Sequence, residues 1–411
     1  MQSSLSIWKV MFNPTFSLSL LPRIEFGPGK INYLPDIIQR YGRRVLLITG
    51  AHSFYQTSHW HQLVAQFKEQ HIQWSHSIIN SEPSPAYIDA TVAHFAQESL
   101  DCVVAIGGGS TLDSGKAIAG LLASGHSVMD YLEGVGAGKT YQGPALPFIA
   151  MPTTAGTGSE ATKNAVLSEQ GEAGFKKSFR DEQLIAQYAL IDPDLLASCP
   201  KTLIAANGMD ALTQLMESYL STKANAICDA LALSGIEAIR DSLLLWFHSD
   251  VLDNSPKVQQ ARAQMAYAAL LSGITLAQVG LGSVHGLASP LGAFFPIPHG
   301  IACGTVLASA TQININAMRN REQGNPGLQR YALIGRLLTQ QPTLNNQQAQ
   351  DKLVELLSNW SQQMTLKPLS AYGVTEADIP RLVANISPSS MHTNPIILTQ
   401  EEKEQLVRTG I

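Results

Sequence analysis

Four residues in the second half of this 411-residue chain are of types that hold metal ions. Asp210 lies in Ala205-Ala206-Asn207-Gly208-Met209-Asp210-Ala211-Leu212-Thr213-Gln214, inside an otherwise apolar helical pattern. A carboxylate buried there is costly unless a partner or a metal meets it. Gln214 follows four residues later and shares its helix face. His285, in SVHG, and His299, in PIPHG, stand 14 residues apart across a Pro- and Gly-rich stretch that reads as a loop. Two imidazoles and one carboxylate make a facial donor set suited to Fe2+ or Zn2+, with coordination left open for water or substrate. Two hydrogen-bonded core histidines and a capped aspartate would give the same spacing, so the pattern alone leaves both open.

A different chemistry is written into two loops of the first half. The apolar run Cys102–Ile106 leads straight into Gly107-Gly108-Gly109-Ser110, which opens a helix. Glycines let the backbone approach a pyrophosphate, and the helix start offers it free N–H groups. The spacing is neither that of Walker A nor GxGxxG. A second loop, Pro152-Thr153-Thr154-Ala155-Gly156-Thr157-Gly158, follows the apolar run Pro147–Met151. Two hydroxyl- and glycine-rich loops at strand ends suit the phosphates and ribose of a dinucleotide.

These residues need a frame. Val45–Thr49, Cys102–Ile106, Pro147–Met151 and Gln187–Ile191 read as buried strands. They alternate with helical stretches near 58–70, from Ser84-Pro85 to about 97, and over 111–123. Such alternation predicts a parallel sheet with helices on both faces, its ligands at the carboxyl ends of the strands. Beyond Asp192 the pattern turns helical throughout, over 203–220, 226–247, 258–276, 304–318 and 348–364. The expected plan is an α/β dinucleotide-binding domain over 1–192 and an all-helical metal and substrate domain over 193–411.

Composition narrows the class. A net charge of −5 with no basic block argues against nucleic acid and anionic membranes as partners. Only 14% of residues are charged while 45% are apolar, which suits a large core and an oligomer. Cys102, Cys199, Cys228 and Cys303 form no CxxC pair and read as reduced thiols. No apolar h-region and no run of about 20 apolar residues stands out, so a cytoplasmic protein is expected.

Taken together, GGGSTLDSGKAIA, PTTAGTGSEAT, LIDPDLLASCPKTLIAANGMDALTQLMESYLST and GLGSVHGLASPLGAFFPIPHG resemble the signatures of the iron-containing (group III) alcohol dehydrogenase family, in the same order. The resemblance runs over residues 20 to 408 and implies the dehydroquinate synthase-like fold, with nicotinamide and a divalent metal meeting between two domains. It implies that Gly107, Gly108, Gly109 and Ser110 hold the pyrophosphate and that Asp113 of the same motif belongs to the cofactor site. It implies that Thr153, Thr154 and Thr157 touch the cofactor, with Lys176 near the nicotinamide ribose. Metal ligands then map onto Asp210, Gln214, His285 and His299, and the assembly implied is a homodimer. The chain departs from the pattern at Gln214 and at Ser289, where the family has histidines. An amide oxygen is a weaker ligand than imidazole. The third departure is Gly50-Ala51-His52-Ser53 after the first strand, where NAD-using members often carry an acid. Without it a 2′-phosphate at Gly50 meets no repulsion and Ser53 offers a hydroxyl, so NAD and NADP stay open.

The expected function is a metal-dependent, NAD(P)-linked alcohol dehydrogenase or aldehyde reductase, passing hydride between nicotinamide and a small alcohol or carbonyl. A metal-free reductase resembling maleylacetate reductases, and a nucleotide-binding protein without turnover, are the alternatives that Gln214 and Ser289 raise.

Overall fold

The computed structural model describes residues 15–51, 54–171 and 174–411. Its first half contains β1 (Arg23–Phe26), α1 (Leu34–Ile38), β2 (Arg44–Gly50), α2 (Ser58–Glu69), β3 (Gln73–Ile79), α3 (Pro85–Phe95), β4 (Cys102–Gly107), α4 (Gly109–Leu121), β5 (Phe148–Pro152), β6 (Asn164–Glu169), β7 (Phe175–Arg180) and β8 (Tyr188–Ile191). Six strands form one parallel sheet in the order β1-β8-β5-β4-β2-β3. The remaining pair, β6 and β7, forms an antiparallel hairpin.

The sheet is buried on both faces, which is why its inner strands are apolar without alternation. In β4, Val103 and Ala105 pack with Ile88 and Val92 of α3 and Leu112 of α4. Cys102, Val104 and Ile106 point the other way, toward Leu34 and Ile38 of α1 and Phe67 of α2. Ser84 caps α3 as its sequence suggests, accepting from the Tyr87 N–H at 3.2 Å. The expected strands and helices of this half are present. The edge strand β3 (QWSHSII) and the hairpin with its Lys176-Lys177 pair lack an apolar run and escape a reading by pattern.

From Lys201 onward the described chain is helical: α5 (Lys201–Leu220), α6 (Ala226–His248), α7 (Pro256–Val279), α8 (Ser283–Phe294), α9 (His299–Arg321), α10 (Pro326–Thr339), α11 (Asn346–Gln363), α12 (Ile379–Ala384), α13 (Pro388–Met391) and α14 (Gln400–Arg408). Helix α5 runs through the middle, packed by α6, α7 and α9. It is buried on nearly all sides, in keeping with its all-round apolar sequence. Among the described residues, no single helix is long and apolar enough to cross a membrane.

Two expectations fail here. The stretch between His285 and His299 is not an open loop, because α8 occupies most of it with Pro290 inside. Proline cannot donate to the carbonyl four residues back. That carbonyl, on Gly286, instead accepts from the Ser387 N–H at 3.0 Å, so the helix survives. Helix α9 likewise begins at His299 and not at Gly304. Gly300 permits this, since a Cβ there would lie 2.3 Å from the Ala206 carbonyl oxygen of α5.

Candidate functional site

Three helices of the core bring metal-type side chains together. Asp210 comes from the middle of α5, His285 from the first turn of α8, and His299 from the first residue of α9. His285 Nε2 lies 3.3 Å and His299 Nε2 3.8 Å from Asp210 Oδ1. The two rings are 5.4 Å apart between centroids. Asp210 and His285 are buried, while the His299 side chain keeps 26% of its surface exposed. Asp210 Oδ1 and His299 Nδ1 are buried with no hydrogen-bond partner, a costly arrangement for a carboxylate oxygen. A dication among these atoms would satisfy that oxygen, so the residues fit a divalent metal.

Glu217 orients the group. Its Oε2 lies 2.7 Å from His285 Nδ1, and its Oε1 accepts from the Val284 N–H at 2.7 Å. With Nδ1–H committed to Glu217, Nε2 is the nitrogen that faces Asp210, and it is the one free to give up its proton to a metal. Burial opposes a charge on His285, but Cys303, Asp210 and Glu217 together raise its pKa well above the usual value. Burial likewise opposes the Asp210 carboxylate, and the two histidines overcome it and lower its pKa. His299 is pushed down to about 4, mainly by burial.

Gln214 does not aim a donor at this cluster. Its amide nitrogen donates to the other Asp210 oxygen, Oδ2, at 3.1 Å, and its oxygen accepts from Ser272 Oγ at 2.6 Å. Its helix position was readable from the sequence; the competing Ser272, which reaches in from α7, was not. Ser289 Oγ is turned toward the Lys176 carbonyl, 3.5 Å away.

The two glycine-rich loops meet at the carboxyl edge of the sheet. Strand β4 ends at Gly107, and α4 starts behind Gly108 with no side chain capping it and no acid in its first turn. The Thr153 N–H donates to the Gly107 carbonyl at 2.9 Å, tying the loops side by side. A Cβ at Gly109 would lie 2.7 Å from Thr157 Cγ2, and one at Gly108 would sit 3.4 Å from Thr154. Gly108, Gly109, Ser110, Thr153, Thr154 and Thr157 are all part-exposed, so they border one accessible surface. An uncapped helix start beside such a surface suits an anion. Gly50 ends β2 on the same sheet edge, with room for a side chain. Ser53 lies outside the described residues.

Asp113, expected at the cofactor site, is also hydrogen-bonded within the protein. It accepts from Ser159 Oγ and from the Val166 N–H at 3.2 Å, and stands 3.6 Å from Lys116 Nζ. Its side chain keeps 14% of its surface exposed, and burial raises its pKa. The fully buried Lys116, which pattern reading passed over, donates to the Ser159 carbonyl at 2.8 Å, Thr162 Oγ1 at 2.9 Å and the Asn164 carbonyl at 2.7 Å. It fixes the segment that follows the second loop. Glu160 in that segment is also buried, and burial pushes its pKa up to about 7. Lys176, on β7, is ion-paired with Glu82 at 2.9 Å. The loops are held against the helical body by close backbone contacts. A Cβ at Gly158 would lie 2.4 Å from Gly273 of α7, and one at Gly156 would lie 2.7 Å from Asn207 Cβ of α5.

A parallel sheet presenting glycine-rich loops, backed by a helical body with a buried Asp–His–His cluster, is the architecture of a dinucleotide-linked, metal-dependent oxidoreductase. Residues 22–193 match the family model for iron-containing alcohol dehydrogenase, and residues 204–410 match that for its C-terminal region. The chain is 30% identical over 389 residues to lactaldehyde reductase of Escherichia coli, covering 94% of this chain and 97% of that protein. An archaeal halo-thermophilic alcohol dehydrogenase from a Red Sea brine pool superposes with a TM-score of 0.87 at 26% identity, over 98% of this chain and all of that one. Sulfoacetaldehyde reductase from Bifidobacterium kashiwanohense, in complex with NAD+, superposes with a TM-score of 0.79 at 25% identity, over 96% of this chain and 98% of that one. The chain belongs to the iron-containing alcohol dehydrogenase family. It is an NAD(P)-linked oxidoreductase acting on CH–OH groups.

Proposed function

We propose that Asp210, His285 and His299 hold one divalent metal, and that the enzyme interconverts a small alcohol and its carbonyl compound beside it. The observation that carries this reading is the convergence of Asp210 Oδ1, His285 Nε2 and His299 Nε2 around an unpartnered buried carboxylate oxygen. When bound, the cation polarises the substrate oxygen as a Lewis acid and the nicotinamide exchanges hydride with the substrate carbon. Glu217 keeps the His285 lone pair on the cluster. Gly107, Gly108 and the first residues of α4, Gly109 and Ser110, bind the pyrophosphate, and Thr153, Thr154 and Thr157 flank it. Lys176, on the β6–β7 hairpin, is steadied by Glu82 of the segment between β3 and α3.

The absence of an acid at Gly50 supports acceptance of NADP(H) at least as readily as NAD(H). A homodimer is supported by exposed Phe16, Leu18, Leu20 and Leu21, which lead into the edge strand β1. Four buried free thiols suit a reducing, cytoplasmic setting.

Metal content together with NAD(P)H oxidation over a panel of small aldehydes tests the reading. His285→Ala is expected to lose metal and activity together. A parent enzyme that reduces a carbonyl while binding no metal, with His285→Ala equally active, would put the metal-free reductase in its place.

A further inference from the structure

Cys303 occupies the fourth corner of the cluster. Because α9 starts at His299, Cys303 stands one turn further on the same helix face. Its Sγ lies 3.8 Å from His285 Nε2 and 3.8 Å from His299 Nε2. One donor atom each from Asp210, His285, His299 and Cys303 all fall within 4.8 Å of one another. A tetrahedral zinc site with nitrogen and oxygen at about 2.0–2.1 Å and sulfur at about 2.3 Å has edges of about 3.3 to 3.6 Å. Four of the six edges, at 3.3, 3.8, 3.8 and 3.8 Å, need close by at most about half an ångström to meet that figure, and the other two lie within 4.8 Å. Gln214, one turn from Asp210 on the same helix, has its amide hydrogen-bonded to Asp210 Oδ2 and Ser272.

We propose that Cys303 is a thiolate ligand of the metal, standing in for the imidazole that Gln214 lacks. The inference rests on the metal site proposed above. Asp210 Oδ1, buried with no hydrogen bond of good geometry, points to a cation in its own right. As the sulfur–metal bond forms, the S–H bond breaks and its proton leaves to solvent, with no change of oxidation state. A set of one oxygen, two nitrogens and one sulfur favours zinc over Fe2+, because thiolate is a soft donor. Zinc also accepts a fifth donor, so the set does not by itself shut out substrate.

The test uses the full chain, stripped with a chelator and reloaded anaerobically with Zn2+ or Co2+. Zinc-edge X-ray absorption is expected to show one sulfur at about 2.3 Å among nitrogen and oxygen neighbours. The cobalt form is expected to show thiolate-to-cobalt charge-transfer absorption, which Cys303→Ser abolishes although Cys102, Cys199 and Cys228 remain. The same variant is expected to bind zinc at least about tenfold more weakly. Should Cys303→Ser fail to fold, the parent spectrum alone still decides. Stoichiometric zinc with nitrogen and oxygen neighbours only would overturn the cysteine ligand and leave the metal site standing. A parent that takes up neither metal would overturn both.

Discussion

Glu217→Gln separates the orientation of His285 from its presence. The side chain is buried and bridges two donors, His285 Nδ1 and the Val284 N–H, each at 2.7 Å. A glutamine can still accept from Val284 through its remaining oxygen. Facing His285, however, it offers an N–H where the carboxylate offered a lone pair. Two donors then confront each other unless the ring moves its proton to Nε2, and that removes the lone pair aimed at Asp210. A hydrogen bond to a charged group contributes about 1.5 to 3 kcal/mol. Partners of a ligating histidine carry 10- to 100-fold in metal affinity, or about 1.4 to 2.7 kcal/mol. The two figures agree, so Zn2+ affinity is expected to fall by about 10- to 100-fold. Competition against a chromophoric chelator measures it, and thermal melting of the metal-free proteins checks that the fold persists. Equal zinc affinity in a variant that melts like the parent would refute the orienting role.

Gly108→Val is expected to intrude on the pyrophosphate surface and abolish NAD(P)H binding by calorimetry with the fold retained; binding as tight as the parent's would remove these loops from the cofactor site. Gly50→Asp should shift preference from NADP(H) toward NAD(H), by repulsion of the 2′-phosphate. A strong NAD preference in the parent that does not respond to the substitution would refute the idea. Glu160 carries a pH signature. Its pKa of about 7 stands above the ordinary carboxyl value, so the folded state holds the proton over a range where the unfolded state loses it. Stability is therefore fully present below about pH 4.5 and is lost progressively as pH rises to about 7, by about 3 kcal/mol. Glu160→Gln should flatten that portion of the melting-temperature profile, and an unchanged profile would count against the shift.

Much of this molecule follows from local sequence. Strands buried on both faces must be apolar throughout, so β2, β4, β5 and β8 stand out in any reading, as do helices of regular period. Glycine is needed where backbones touch, which marks Gly107–Gly109 as a loop of close approach. Asp210 stands out because an acid in an apolar helix needs a partner. None of this depends on distant residues.

What depends on distant residues was not legible. Pro290 reads as a break, yet α8 persists because Ser387, far along the chain, supplies the hydrogen bond that proline cannot. Gln214 reads as a ligand on the face of Asp210, yet Ser272 on another helix takes its oxygen. Asp113 sits in a cofactor motif, and the tertiary structure adds Lys116, Ser159 and Val166 as partners of its carboxyl. Cys303 is one turn from His299, a spacing present in the sequence but without meaning until α9 is known to begin at His299. Local sequence sets which side chains a helix can offer on one face. Only packing between helices decides which of them meet, because hydrogen-bond and ligand geometry is satisfied across the fold and not along the chain.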